Sequence, residues 1–421
     1  MKKSNGWGWV PTLYFAEGLP YVIVMNVAVA MYARLGISNS DIALYTSYLY
    51  LPWVIKPLWS PIVDMFKSKR WWIIAMQIVI GGGLAGVAML LPAPNFFRYT
   101  LAFFWLLAFA SATHDIAADG FYMLGLNQER QAYFVGIRNT FYRLAVIAGQ
   151  GGVVMVAGML EKRYFAIEPK ALYYPEGWAV AIGVTAVLFI LIALLHMRTL
   201  PRPSADSMRL TGPMGEASFI KIFADFFKKP GIAIALLFIL LFRFAEAQLV
   251  KISSPFLLDK VQNGGLGLET TQVGFIYGTL GVLALTIGGI LGGIAISKKG
   301  LNYWMWPMTI AMNIPNLVYL WMAWALPESS VAISTCVCIE QLGYGFGFTA
   351  LTCFMLQFSQ GKNATANYSL CTGFMALGMM LPGMMSGYIQ EHIGYIGFFQ
   401  WIMISTIPAF IITVFAKKWV K

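Results

Sequence analysis

Charge is what this sequence has least of. Only 11% of its 421 residues are Asp, Glu, Lys or Arg, against roughly 25% in a soluble domain. Apolar residues make up 59%, and mean hydropathy is +0.69, so a water-soluble globular chain is excluded. Cysteine is sparse too: Cys336, Cys338, Cys353 and Cys371 all fall in apolar stretches. Cys-x-Cys without a second pair is a poor metal signature, and buried thiols act as small apolar side chains. No metal site and no cofactor is therefore expected. Long polar stretches are missing apart from residues 199–229, which leaves no large soluble catalytic or signalling domain. That absence argues against the competing class, a polytopic membrane transferase, and the chain is expected not to be an enzyme.

What is there is a series of apolar runs, each of the roughly 20 residues that cross a bilayer. Hydropathy and helix breakers place spans near 9–34, 41–63, 71–92, 99–124, 132–160 and 176–198. Six more lie near 230–257, 269–297, 303–326, 329–358, 364–389 and 393–416. The polar segment 199–229 divides them into two six-helix halves, 1–198 and 230–421. The net charge of +11 does not imply a nucleic-acid partner, because its placement alternates with the spans. Lys2, Lys3, Lys67, Lys69, Arg70, Arg198, Arg202, Arg209, Lys221, Lys228, Lys229, Lys298, Lys299, Lys417, Lys418 and Lys421 fall on one side. The opposite loops are poor in basic residues, and Lys162, Arg163 and Lys170 are offset there by Glu161, Glu168 and Glu176. By the positive-inside rule both termini are cytoplasmic. "MKK" and Ala28-Val29-Ala30 imitate a signal peptide, but the apolar run continues past them and losing the first span would leave a lopsided bundle. Asn363 heads a glycosylation-like triplet on the cytoplasmic side, where it has no meaning.

Twelve spans, a cytoplasmic linker and a short basic loop in each half describe the all-α integral-membrane arrangement of the major facilitators. There the substrate site lies between the halves, lined by spans 1, 4, 7 and 10. Buried polar residues concentrate on those spans: Glu17 on span 1; His114, Asp115 and Asp119 on span 4; Arg243, Glu246 and Gln248 on span 7; Glu340 and Gln341 on span 10. Spans 3, 6, 9 and 12 carry hardly any ionisable group in their interiors. A carboxylate at the bilayer centre costs on the order of 3 kcal/mol, so each acid needs a partner or a task. Depth counting across the turns pairs Asp115 with Arg143, Asp119 with Arg138 and Glu17 with Lys56. Arg243 and Glu246, three apart on one helix, can touch. Asp115, near the midplane and next to His114, is the best-placed proton carrier, with Glu246 its counterpart in the other half; Asp119 reads as a structural partner of Arg138. Arg243 can alternatively grip a carboxylate or phosphate in bidentate fashion. Tyr21, Tyr45, Tyr48, Trp53, Phe244 and Tyr344 are candidate stacking surfaces for a ring. Gly18-Leu19-Pro20 and Gly343, Gly345 and Gly347 are places where a cavity helix can bend. The glycine runs at 81–86 and 287–297 are read as close helix packing rather than phosphate loops.

"IKPLWSPIVDMF" in span 2, "HDIAADG" in span 4, "YRLAVIAGQGG" in span 5, "EQLGYGFGFTAL" in span 10 and "ATANYSL" opening span 11 together resemble the AmpG-like permeases, a branch of the major facilitator superfamily. The resemblance extends over nearly the whole chain. It implies a monomeric, proton-driven importer of the bacterial inner membrane that takes up GlcNAc–anhydro-MurNAc, with or without peptide. By motif, Asp115 and Asp119 match the family's paired span-4 aspartates, Arg143 its span-5 arginine, and Arg243 with Glu246 its span-7 pair. His114 stands where the family usually has glutamine, and Glu17 where a small polar residue is common. "GFYML" follows Asp119 in place of a more polar continuation, and Asp-Gly there resembles siderophore importers and acetyl-CoA carriers instead. Those two substrate classes remain alternatives.

The topology carries a direct test. In a chain whose four native cysteines are replaced, single cysteines at Ser38 and Ser207 react with an impermeant maleimide from opposite sides of intact cells. Labelling from the same side would overturn the twelve-span arrangement.

Overall fold

An apolar solvent offers a backbone N–H or C=O no partner, so a chain this hydrophobic satisfies its peptide groups within each segment. A computed structural model describes residues 6–167, 174–203, 206, 216–361 and 364–419. Lys2, Lys3, Glu168, Lys170, Ser207, Arg209, Asn363 and Lys421 lie outside the described residues. Among the described residues every regular element is helical, and nine stretches are long and apolar enough to cross a membrane. Two of these are double. Val282–Asn313 bends at Gly300 (φ 75°) and Ala364–Ile404 at Gly394 (φ 70°), left-handed conformations that glycine adopts without a Cβ penalty. The expected loops 8–9 and 11–12 are these bends. Span 2 is split into Asn39–Tyr48 (10 residues) and Leu51–Met65 (15 residues), each shorter than a bilayer crossing.

The outward faces are those of a lipid-facing protein. On Pro175–Thr199, Val180, Val184, Val187, Leu191 and Leu194 are all exposed and recur at helical spacing, an apolar stripe that water would penalise. The chain is a multi-pass membrane protein.

The helices gather into two compact units. The first comprises Met1–Ile37, Leu58–Thr211 and Glu269–Gly278; the second comprises Ser38–Pro57, Gly212–Leu268 and Thr279–Lys421. Each thus takes in one short segment from the other half of the chain.

In the first unit, α1 is Val10–Arg34, interrupted by a π-helical turn at Ile23–Val27. The helix continues through Pro20, and the departure from α geometry begins after it. α4 (Lys69–Leu90), α5 (Phe96–Gly125) and α8 (Pro175–Thr199) follow α2 and α3, the two pieces of span 2. α6 (Gln128–Val146) joins α7 (Val154–Ile167) through a second π-helical turn, Ile147–Val153. One end of this unit is tied by the first residues of the linker. Asp206 accepts from the backbone N–H of Lys69 (2.7 Å) and Arg70 (3.1 Å) at the start of α4, while Arg70 Nε donates to Leu200 O (3.2 Å) just past α8. A carboxylate at a helix N-terminus and a guanidinium at a C-terminus both oppose the local helix charge.

In the second unit, α9 (Glu216–Phe227) precedes α10 (Ile232–Leu241) and α11 (Phe244–Leu258). α12 (Thr270–Phe275) begins in the first unit and leads through a third π-helical turn, from Ile276 to Gly281, into α13 (Val282–Asn313). α14 (Leu317–Ala325), α15 (Ser330–Ser359), α16 (Ala364–Ile404) and α17 (Ile407–Ala416) complete it. The core is aromatic and methionine-rich, with Phe226, Phe238, Phe242, Met305 and Met308 all buried. α13 and α15 touch backbone to backbone: a Cβ at Gly345 would lie 2.0 Å from Leu285 O, and one at Gly288 2.1 Å from Leu342 O. Lys229 Nζ donates to Phe358 O (2.6 Å) and Gln360 O (3.1 Å), closing the carbonyl end of α15.

The α13–α15 contact predicts a large effect from a small change. Gly345→Leu drives the two helices apart and costs about 3 kcal/mol or more, read as a lower melting temperature in detergent. Gly293→Ala on the same α13, where a Cβ meets nothing within 4 Å, leaves melting unchanged or raises it slightly. Equal behaviour of the two variants would refute this packing.

Candidate functional site

His114 and its neighbour Asp115 in "HDIAADG" face different ways. Side chains three and four apart share a helix face, whereas neighbours diverge by about 100°, and α5 separates them accordingly. His114 is fully buried and turns to the packed side, where its Nε2 lies 3.0 Å from Gln77 Nε2 on α4. The same amide lies 2.9 Å from His196 Nδ1 on α8, and His196 Nε2 lies 2.9 Å from Thr12 Oγ1 on α1. With both rings neutral, Gln77 donates one N–H to each, His196 donates to Thr12 and Thr12 donates to Trp9 O (3.2 Å), which leaves His114 Nδ1 buried with no hydrogen-bond partner among the described residues. A buried imidazole on α8, in span 6, is a departure from the expectation that such spans carry hardly any ionisable group.

Asp119 pairs with Arg138 and Tyr14. Its Oδ1 lies 3.2 Å from Arg138 Nη2 on α6 and accepts from Tyr14 Oη at 3.2 Å. The guanidinium also lies over the Tyr14 ring (4.4 Å) and the Tyr122 ring (5.3 Å). A Cβ at Gly120 beside it would sit 3.0 Å from Lys69 Cε, towards the far end of a flexible side chain.

Asp115, Glu17, Tyr21 and Arg143 gather around Tyr142 on α6, each within electrostatic range of it. Glu17 is buried, and Tyr21, Asp115 and Arg143 are half-buried. Further along the same helices stands a fully satisfied carboxylate. Glu161 Oε2 accepts from Arg34 Nε (3.1 Å) and Thr270 Oγ1 (2.6 Å), and Oε1 accepts from Trp178 Nε1 (2.7 Å). Lys162 Nζ, 2.5 Å from Glu269 Oε2, adds a second ion pair between α7 and the start of α12.

The second unit has its own polar cluster, built on a break in span 7. Helix geometry fails at Arg243 (φ −108°, ψ 19°), and α11 restarts at Phe244 with Glu246 in its first turn. Arg243 donates to Tyr344 Oη and stacks over Tyr344 (5.2 Å) and Phe348 (4.9 Å) on α15. Glu246 is buried within electrostatic range of both Arg243 and Glu340. Glu340 Oε2 accepts from Gln341 Nε2 at 2.9 Å, while Glu340 Oε1 and Glu246 Oε2 are buried with no hydrogen-bond partner among the described residues. Gln248 is committed to packing: its Oε1 accepts from Trp401 Nε1 (2.8 Å) and its Nε2 donates to Phe244 O (3.1 Å). Lys56 is half-buried on α3. Sequence reasoning passed over Lys251, whose fully buried ammonium donates to Thr46 Oγ1 (2.9 Å) on α2 and lies 5.2 Å from the Tyr50 ring. Its presence in an apolar run next to Glu246 was the available signal.

A family model described as Major Facilitator Superfamily matches residues 12–381. The chain belongs to the Major Facilitator Superfamily. It is similar to a protein named putative transporter AmpG 4 of Rickettsia conorii, at 24% identity over 96% of this chain and 94% of that one. It is also similar to the anhydromuropeptide permease of Escherichia coli strain K12, at 23% identity over 96% of this chain and 78% of the permease. Among solved structures, a D-xylose–proton symporter shares the fold with a TM-score of 0.72 at 9% identity, covering 99% of this chain and 98% of the symporter. A bacterial homologue of the human lysosomal transporter Spinster does so with a TM-score of 0.69 at 17% identity, covering 97% of this chain and 94% of that one. This major facilitator is therefore a membrane transporter whose relatives are named as transporters and permeases.

In this major facilitator, Arg138→Leu strips Asp119 and Tyr14 of their cation. Expression and melting temperature fall, by about 1–3 kcal/mol given the partial exposure of the pair. Asp119→Asn combined with Arg138→Leu recovers part of the loss. A double variant no better than Arg138→Leu alone would show that the two residues do not stabilise each other.

Proposed function

We propose that this protein is a proton-coupled importer of anhydro-muropeptides, GlcNAc–anhydro-MurNAc with or without peptide, working as a monomer in the bacterial inner membrane. In this reading the chain crosses twelve times with both termini cytoplasmic, and residues 199–229 link the halves 1–198 and 230–421. Its partners are the solute, protons and the lipid bilayer. The substrate rests on the near full-length similarity to a permease named for that solute. Siderophore or acetyl-CoA carriage on the same fold, suggested by Asp119-Gly120, is the alternative reading.

The observation that carries proton coupling is Glu246 at the broken span. A carboxylate moves through an occluded state only if its charge is cancelled, since a charge in the bilayer interior is costly. Of the expected proton sites, Asp119 is held by Arg138 and Tyr14, and His114 by Gln77. Asp115 and Glu246 remain. Glu246 has a buried oxygen without a donor and a second acid, Glu340, in electrostatic range. Protonation of Glu246 relieves both conditions. Release of the proton restores a negative charge in the range of Arg243, which is positioned at a helix break of the kind that lines solute sites in transporters. Arg243, Tyr344, Glu340 and Gln341 then contribute to solute recognition in this unit, and Glu17, Tyr21, Asp115 and Arg143 in the other.

Proteoliposomes given labelled GlcNAc–anhydro-MurNAc, a siderophore or acetyl-CoA from outside test the reading in parallel. The wild type takes up the muropeptide under an inward pH gradient. Glu246→Gln abolishes gradient-driven uptake and keeps solute exchange at zero gradient. If Asp115→Asn behaves this way and Glu246→Gln does not, the coupling site belongs to span 4. If the wild type carries a different solute, the substrate assignment fails.

A further inference from the structure

α1 and the α6–α7 helix run side by side, and polar contacts join them at three levels. At one end lies the charged group around Tyr142, with Glu17 and Tyr21 on α1 and Arg143 on α6. At the other end Arg34 pairs with Glu161. Between them Asn26 Nδ2 donates to Gln150 Oε1 at 3.0 Å, an uncharged contact within an otherwise apolar length of both helices.

The amide pair is set where both helices leave α geometry. Asn26 lies in the π-helical turn Ile23–Val27, and Gln150 in the π-helical turn Ile147–Val153, sequence IAGQGGV. A π turn widens the helix and loosens its carbonyls, and such turns gather at functional sites. The third π turn also reaches this point, since a Cβ at Gly278 would lie 2.1 Å from Gln150 O. Asn26 is half-exposed. Its Oδ1 and Gln150 Nε2 have no hydrogen-bond partner among the described residues, although neither is sealed away from solvent. The pair therefore presents one acceptor and one donor side by side, with Gln150 two residues before Gly152, where a Cβ would meet nothing within 4 Å. That spacing matches a secondary amide, which offers one N–H and one C=O, or a pair of adjacent hydroxyls.

We infer that Asn26 and Gln150 form a solute-binding subsite for an uncharged amide- or hydroxyl-bearing group, such as the acetamido group of an amino sugar. The inference rests on the transport reading above and deepens it. The subsite supplies recognition without charge, and the ionisable groups on either side serve coupling and closure.

The test uses the full-length protein in proteoliposomes and, as probe, whichever of GlcNAc–anhydro-MurNAc, a siderophore or acetyl-CoA the wild type carries. Asn26→Val and Gln150→Leu each raise KM about tenfold, the loss of roughly one solute hydrogen bond, and leave the maximal rate within about twofold. Gln150→Asn, with the same amide on a shorter stem, retains part of the affinity. Melting of the solute-free protein separates this from a helix-to-helix staple: a staple lowers the melting temperature in both variants and leaves KM unchanged, and that result would overturn the subsite. If the wild type carries none of the three solutes, the transport reading and the subsite fall together. If it carries one and both variants keep its KM, the subsite alone falls.

Discussion

A charged side chain inside a bilayer has nothing to pair with except the protein that carries it. Much of the polar architecture here follows from that constraint. Arg138 answers Asp119, Arg34 answers Glu161, and Thr270 and Trp178 complete the second carboxylate. Some neutral polar groups follow it, as Gln77 serves two imidazoles at once and Thr12 passes a hydrogen to a backbone carbonyl, whereas His114 Nδ1 and both amide atoms of Asn316 are buried with no hydrogen-bond partner among the described residues. Against this background the buried atoms of Glu246 and Glu340 that lack hydrogen-bond partners are exceptions, and exceptions are where a changing charge can be put to use.

Two kinds of close contact hold the helices of the units together. In the first, aromatic rings and cations interleave, as where Arg138 lies between Tyr14 and Tyr122. In the second, glycine removes the side chain altogether and lets α13 and α15 meet through their backbones. Close approach of this kind replaces the hydrophobic drive that lipid cannot supply between helices.

Much of this was legible in the sequence. The family, the helical class and the positions of most spans follow from composition, hydropathy and a handful of motifs. Asp119 with Arg138 could be matched by depth, because one short turn connects their helices and fixes the register. The rest was hidden for specific reasons. Hydropathy measures depth and says nothing of azimuth, so His114 read as a companion of Asp115 when its ring faces Gln77 on another helix. Gly18-Leu19-Pro20 advertised a bend, whereas α1 runs through it and widens at Ile23–Val27. π turns leave no mark in composition that periodicity would detect. The break at Arg243 lies in "LLFRFAE", which contains neither proline nor glycine.

That last feature bears on how the protein is made. No residue near Arg243 forbids a helix, and the rings that Arg243 meets in the finished unit, Tyr344 and Phe348, lie on α15. While the chain is still emerging from the ribosome those neighbours do not exist, because α15 is synthesised later. On emergence nothing breaks the segment from Ile232 to Leu258 at Arg243, and Arg243 and Glu246, three apart, lie on one helix face before α15 is made. On insertion scales Arg243, Glu246 and Lys251 together cost several kcal/mol, and the apolar run Ile232–Leu241 offsets it. The same run that looks like ordinary membrane filler is thus what delivers three charges to a place where they will later find their partners.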